Sequence, residues 1–372
     1  MPLSSTFSET SFNDVPGWAD DDHLAAFAAF RRCASQVLTK PYRTGALGID
    51  FNAFADAYDE ARSVSPANRS EARAFFERHF MPALVTSESG AGLVTGFYEP
   101  EVEASPVRTE RFGVPLLARP ADLIDIDDGN RPAGMDPYLA FARNTPDGPV
   151  EYFDRGEIER GALAGKGLAG RNLEIAWLVD KVDAFFIHVQ GAARLMMTDG
   201  RLCRVTYAAK SGQRFTGPGK ILSALGEIPL EKVTMQSIRA WFKAHPDRID
   251  EILWQNRSYI FFREAAVEDV SLGPIAAAKV PLTPGRSVAV DRLLHTFGTP
   301  FYIDAPTLTA FDQKPFRRLM IAQDTGSAIT GPARGDLFVG SGDAAGEIAG
   351  IVRNAADFYA LIPRALAGGG RR

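Results

Sequence analysis

The 372-residue chain is poor in the residues that most readily betray a chemistry. It holds two cysteines, Cys33 and Cys203, too few for a disulfide framework and not arranged as a CxxC redox or metal motif. One disulfide or two free thiols both fit. Five histidines (His23, His79, His188, His245 and His295) form no HxH or HExxH pair, which speaks against a zinc site. No DxDxDG calcium loop is present, and no cofactor or metal is expected. GxSxG is absent, so a serine nucleophile has no elbow to sit on. The GPGK at 217–220 continues into Ile221 rather than Ser or Thr and does not complete a phosphate loop. No apolar run approaches the ~18 residues that would suggest a membrane-spanning helix. The opening MPLSSTFSETSFNDVPGW lacks the basic start, apolar run and cleavage site of a secretory signal, and none is expected in the chain as written. A formal net charge of -5 gives no general pull toward nucleic acid or anionic membrane.

What remains is ordinary globular material, 45% hydrophobic and 23% charged, at a length that suggests two domains. The first hundred residues read as helical. Asp20, Asp21 and Asp22 precede Leu24, Phe27, Ala28 and Val37, an acidic start to an amphipathic helix. Phe51, Phe54, Ala55 and Tyr58 repeat that spacing, and Ser70 is placed to cap a third helix carrying Ala72, Phe75, Phe76 and Phe80, with His79 packed at its edge. LVTGFYEP (93–100) is a short strand. Loops between short strands are predicted over 101–150, and a short helix after Arg155. VDAFFIHVQG (182–191) reads as a buried strand, a turn at TDG leads into RLCRVTYAA, and SGQ turns again into RFTGPGKIL. TMQSIRAWFKAH and DRIDEILWQN read as helices and SYIFFRE as a strand. From Leu272 onward, short strands and glycine turns predict a small all-β barrel. The tail GGGRR is expected to be disordered.

Three acids stand out in that β segment. Asp291, Asp324 and Asp336 each lie at the edge of an apolar run: VAVD, LMIAQD, and ARGD before LFVG. Strand ends of a rigid barrel commonly present reactive groups, although a single Asp beside Gly is more often a turn cap. A general acid must hold its proton near neutral pH, and burial or a neighbouring carboxylate supplies that. Asp336, between Gly335 and Leu337-Phe338, suits this demand. Asp324, beside Thr325 and Ser327, reads as better hydrated and ionised. Thr95, Tyr98 and Glu99 crowd polar groups at the end of the TGFYEP strand, where Tyr98 could stack on a sugar or bind a hydroxyl. Gln190 offers an amide for hydroxyls, followed by Gly191 for close backbone approach.

Taken in order, PGWADDDHLAAFAAFRRC, TGFYEP, VDAFFIHVQGAARLMMTDG, SIRAWFKAHP, NRSYIFF, PLTPGRSVAVD and IAQDTGSAITGPARGDLFVGSG resemble the MltA family of membrane-bound lytic murein transglycosylases, from about Pro16 to Pro363. The C-terminal part (about 272–363) resembles that family's three-aspartate, or 3D, domain, with Asp291, Asp324 and Asp336 as the three. The resemblance implies a mainly β protein with N-terminal helices. Its main domain would be a double-psi β-barrel built from 1–100 and 264–372. A smaller β-domain, 101–263, would be inserted, with a groove between the two. Asp336 falls on the family's catalytic acid, Asp324 on its neighbour, and Asp291 on a supporting position. Thr95, Tyr98, Glu99, Gln190 and Gly191 would contact substrate. Ala192 and Ala193 stand where family members more often carry Ser-Gly after the glycine.

The implied activity is a lytic transglycosylase or exotransglycosylase cutting the β-1,4 bond between N-acetylmuramic acid and N-acetylglucosamine, with 1,6-anhydromuramic ends formed. Asp336 would act first as acid and then as base. The implied partner is the peptidoglycan glycan strand and not nucleic acid. The protein would be a monomer in the periplasm or on the periplasmic face of the outer membrane, with cell-wall synthesis or division complexes as further candidate partners. A glycoside hydrolase, or a catalytically silent wall-binding protein on the same fold, are the alternative readings.

Overall fold

The computed structural model describes residues 3–86, 90–163 and 173–367. The chain divides into two compact units, Met1–Tyr98 with Asp269–Arg372, and Glu99–Glu268. It is mainly β, with helices gathered at the N-terminal end of the first unit.

Those helices form because their apolar residues recur at helical spacing. Helix His23–Gln36 buries Ala26, Phe27, Ala29, Phe30, Cys33 and Ala34 along one stripe. Asp22 caps it by accepting from the Ala25 amide at 3.3 Å. Helix Arg69–His79 is capped by Asn68, two residues before the Ser70 that the sequence suggested, and the Asn68 amide oxygen takes the Glu71 N–H. Phe30 meets Tyr58, Phe75, Phe76 and Phe80 at ring distances of 5.2–5.8 Å. At roughly 1.5–3 kcal/mol for each large side chain buried, this aromatic knot is a main source of the unit's stability. Asp21 is not merely an acidic helix start. It is 7% exposed, forms a bidentate pair with Arg286 at 2.8 Å, and accepts the Leu319 amide, so it pins the helices to the sheet.

Six strands of this unit close into a ring: Arg353–Pro363, Pro300–Ala305, Phe316–Asp324, Ser287–Val290, Arg334–Ser341 and Gly92–Glu99, which pairs back onto Arg353–Pro363. The strands Phe80–Val85 and Phe7–Glu9 extend the sheet beyond the ring. Closure leaves fewer open edges for stray pairing. Gly335 is required by space, since a Cβ there would stand 2.9 Å from the Phe358 ring.

The second unit has a six-stranded sheet in the order Ile260–Ala265, Leu202–Lys210, Ala192–Met197, Glu101–Ser105, Glu174–Leu178, Val114–Leu117. It is not purely β. VDAFFIHVQ (182–190) lies in helix Lys181–Gln190, not in a strand, and PGKILSA forms helix Pro218–Ala224, whose first-turn proline needs no hydrogen-bonded N–H. With Met235–Ala244 and Ile249–Leu253 they bury Phe185, Phe186, Leu222, Trp241, Phe242 and Leu253 in a helical core of their own. Both thiols are free, Cys33 in the first unit and Cys203 in the second, and burial pushes Cys33 up to about 11. GGGRR (368–372) lies outside the described residues.

Candidate active site

The site is built on one short strand. Ser287–Val290 runs between Phe316–Asp324 on one side and Arg334–Ser341 on the other. Ala289 is the register partner of Asp324 in the first pairing and of Asp336 in the second. Directly opposed residues share a face, so both carboxylates flank one small side chain. Val288, Val290 and Leu337 enter the hydrophobic core, which places the Ala289 face opposite to it. The pairing of Asp324 depends on an irregularity between Val288 and Ala289, where Gln323 is the extra residue. Without that bulge, strict alternation would turn Asp324 to the other face. Gln323 is held in place by Ser287 at 2.5 Å and by the Ala29 carbonyl at 2.9 Å. The two aspartate Cα positions are two strand spacings apart, about 10 Å.

Asp336 is half-buried. Its Oδ1 accepts from the Thr95 hydroxyl at 2.5 Å, and Thr95 in turn accepts from Arg334 Nη2 at 2.7 Å. Burial raises its pKa, against the Thr95 hydrogen bond and the Arg334 charge, which lower it. Asp324 is also half-buried and is pushed up to about 6. Burial is the main cause, the Thr325 and Ala277 amides oppose it, and the Asp336 charge adds to it. Its Oδ1 accepts the Ala277 amide at 3.2 Å. The sequence reading of Asp324 as the well-hydrated member is therefore corrected: Thr325 and Ser327 are neighbours in sequence, but desolvation dominates in space.

Asp291 follows the Ser287–Val290 strand and does something else. It accepts the Leu293 amide at 3.0 Å and, across the loop, the Gly331 amide at 3.0 Å. His295, which sequence reasoning passed over, donates from Nε2 to the Pro332 carbonyl at 2.8 Å, and burial lowers its pKa to about 4, so it stays neutral. Together they fix the glycine-rich loop that leads into the Asp336 strand.

The remaining candidates are dispersed. Tyr98 is 6% exposed and its ring abuts Gly346, where a Cβ would come within 2.8 Å, so it presents no open face for a sugar to stack on. Glu99 is corrected from a substrate contact to an internal ion: its side chain is fully buried, with Arg204 at 2.5 and 3.0 Å and Arg194 at 3.0 Å. Gln190 and Gly191 belong to the second unit. Gln190 ends helix Lys181–Gln190, and Gly191 is its left-handed cap at φ 77 with open space around its α-carbon. Among the described residues, no group of three His, Cys, Asp or Glu side chains could hold a metal ion. Arg334 was also missed, although its place two residues before Asp336 on one strand puts both on the same face.

A closed β-ring carrying a desolvated acid, a second raised carboxylate and a pinned loop is equipped for proton transfer. Comparison with known proteins gives this equipment a family. A family signature described as the MltA specific insert domain matches residues 93–263, and one described as the 3D domain matches 286–362, a span containing all three aspartates. The solved structure of a membrane-bound lytic murein transglycosylase from Agrobacterium tumefaciens is 51% identical, covers 98% of this chain and 100% of that one, and superposes with a TM-score of 0.91. MltA from Neisseria gonorrhoeae, in its monoclinic form, is 30% identical over 98% of this chain and 93% of that one, with a TM-score of 0.77. Membrane-bound lytic murein transglycosylase A of Escherichia coli strain K12 is 31% identical over 261 residues, 69% of this chain, and the match spans 61% of that relative's length. The chain belongs to the MltA family of membrane-bound lytic murein transglycosylases.

Proposed function

We propose that the protein is a peptidoglycan lytic transglycosylase in which Asp336 is the single acid–base group. The observation that carries this reading is the setting of Asp336: half-buried, raised in pKa, hydrogen-bonded to Thr95, and aligned with Asp324 across Ala289. Asp336 protonates the glycosidic oxygen as the bond to the muramic C1 breaks. The C6 hydroxyl of the same sugar then attacks C1, and its proton passes to the Asp336 carboxylate. The nucleophile is already part of the substrate, so proximity replaces a second catalytic carboxylate. Asp324 adds negative charge near the oxocarbenium-like centre and tunes its neighbour. The substrate is the glycan strand, cleaved between N-acetylmuramic acid and N-acetylglucosamine, and the protein works on the wall-facing side of a membrane. Among the described residues no helix is long and apolar enough to cross a membrane.

One observation favours a second reading. Two raised carboxylates about 10 Å apart at Cα leave room for a water between them, as an inverting hydrolase requires. Mass spectrometry of digested peptidoglycan separates the two. Anhydro-muropeptides from wild type and none from Asp336→Asn support the transglycosylase. Reducing ends support the hydrolase, and intact glycan that co-sediments with the protein would leave only a wall-binding role.

A further inference from the structure

We propose that Arg334 is a positioning residue for the acid: acting through the Thr95 hydroxyl, it dictates which oxygen of Asp336 accepts a hydrogen bond and which carries the transferable proton. This inference rests on Asp336 being the acid.

The argument is one of donors and acceptors. A guanidinium has five N–H donors and no acceptor. Arg334 Nη2 donates to Thr95 Oγ1 at 2.7 Å, and Nη1 is tied to the Gly335 carbonyl at 2.5 Å, which fixes the orientation of the fork. The hydroxyl hydrogen of Thr95 cannot go to Arg334. The acceptor in reach is Asp336 Oδ1, 2.5 Å away. Oδ1 is thereby committed as an acceptor. Among the described residues, Oδ2 makes no hydrogen bond to protein, so it is the oxygen left to hold a proton and hand it over. A carboxyl whose proton sat on Oδ1 would point it at a hydroxyl rather than at substrate.

The charged groups around this chain are few. Asp324 faces Asp336 across Ala289, and its charge and that of Asp336 oppose each other. Arg353 is the register partner of Thr95 on the adjoining strand, and its charge opposes that of Arg334. Burial disfavours the charged form of Arg334, and the Asp336 carboxylate offsets it. Arg334 therefore stabilises the ionised form of the acid, and Thr95 transmits the direction.

The test measures kcat, KM and pH profile on peptidoglycan for Arg334→Gln, Arg334→Lys, Thr95→Val, Thr95→Ser and the Arg334→Gln/Thr95→Val double variant, each first checked for folding by thermal melting. A charged hydrogen bond of this kind corresponds to about 10- to 100-fold in rate. Arg334→Gln and Thr95→Val are each expected to lower kcat by that factor with KM little changed. Both should move the alkaline limb of the profile to higher pH, because each removes something that favours the carboxylate. The double variant should be no worse than Thr95→Val, since the two residues act in series, and Thr95→Ser should stay near wild type. Arg334→Lys keeps the charge and loses the fork. Full activity in it would overturn the proposal, as would additive losses in the double variant, or an unmoved limb with normal kcat in Arg334→Gln. Should Arg334→Gln not fold, the Arg334→Lys and Thr95 variants decide the matter alone. Asp336→Asn is run beside them: if it turns over, the assignment of the acid fails, whereas a dead Asp336→Asn with normal Arg334 variants sinks the positioning role only.

Discussion

Two desolvated acids of this chain face opposite fates. Glu99 has both oxygens gripped by Arg194 and Arg204 from two strands of the second unit's sheet. Asp336 sits on the barrel of the first unit with a hydroxyl as its direct side-chain partner and a guanidinium one bond further away. Both are close to aromatic residues and glycine in sequence, and both looked like candidates for substrate chemistry. The difference is compensation. A carboxylate with both oxygens matched by cations has its acceptor sites committed and presents nothing to a substrate. A carboxylate desolvated without a contacting cation keeps a proton to give. Burial alone does not make an acid reactive; burial left partly uncompensated does.

The largest expected effect tests the reactive side. Asp336→Asn should lower turnover by about 10²- to 10⁴-fold, the usual weight of a general acid, while the melting temperature holds or rises; a melt shifted sharply downward would mean that the carboxylate is structural. Glu99→Gln should do the reverse. It strands two buried guanidinium groups, a loss of about 3–5 kcal/mol, seen as a fall in urea midpoint, with the pH–rate profile unmoved in whatever fraction folds. A displaced profile would erase the contrast between the two acids.

Asp324 lies between these extremes. Its folded pKa of about 6 exceeds the ordinary carboxylate value of 3.8. The folded state thus binds this proton more tightly than the unfolded chain does. Its contribution to stability is greatest below pH ~4, falls as pH rises toward 6, and stays lost above. Asp324→Asn should therefore melt higher than wild type at pH 7, by the equivalent of about 1–2 kcal/mol after allowance for its partial exposure, and the curves should converge near pH 4. Equal melts at both pH values would show a hydrated carboxylate after all. The smallest effect is at Gly191. A Cβ there meets nothing within 4 Å, so Gly191→Ala should cost only the left-handed backbone, about 1–2 kcal/mol. Asn, which tolerates that conformation, should recover part of it. Loss of activity in a stable Gly191→Asn variant would argue that the glycine serves substrate approach rather than helix capping.

Much of the first unit could be read from periodicity, because its N-terminal helices are amphipathic and its strands are short and punctuated. Helix Lys181–Gln190 could not. Val182 and every residue from Ala184 to His188 are buried, so no polar face breaks the run and it looks like a core strand. Its caps were nonetheless visible: Asp180 accepts the Val182 and Asp183 amides, and Gly191 ends the helix. The three aspartates were legible as a set, with Asp336 as the acid, but the geometry behind that division of labour was not. That division depends on a one-residue bulge, on a loop pinned by Asp291, and on Thr95 arriving from far away in the chain, none of which has a local signature.

That last distance has a consequence for how the protein comes into being. Thr95 and Asp336 are 241 positions apart, and the strand Arg353–Pro363 that joins the two ends of the ring comes later still. Contacts of such separation are slow to form and demand closure of a very large loop. A chain still emerging from the ribosome, or cut short between Thr95 and Arg353, carries Thr95 with no completed ring to receive it. The second unit, continuous from Glu99 to Glu268, can gather its own core first. The capacity to cut is thus withheld until the strand Arg353–Pro363 has been made, a timing device written into topology alone.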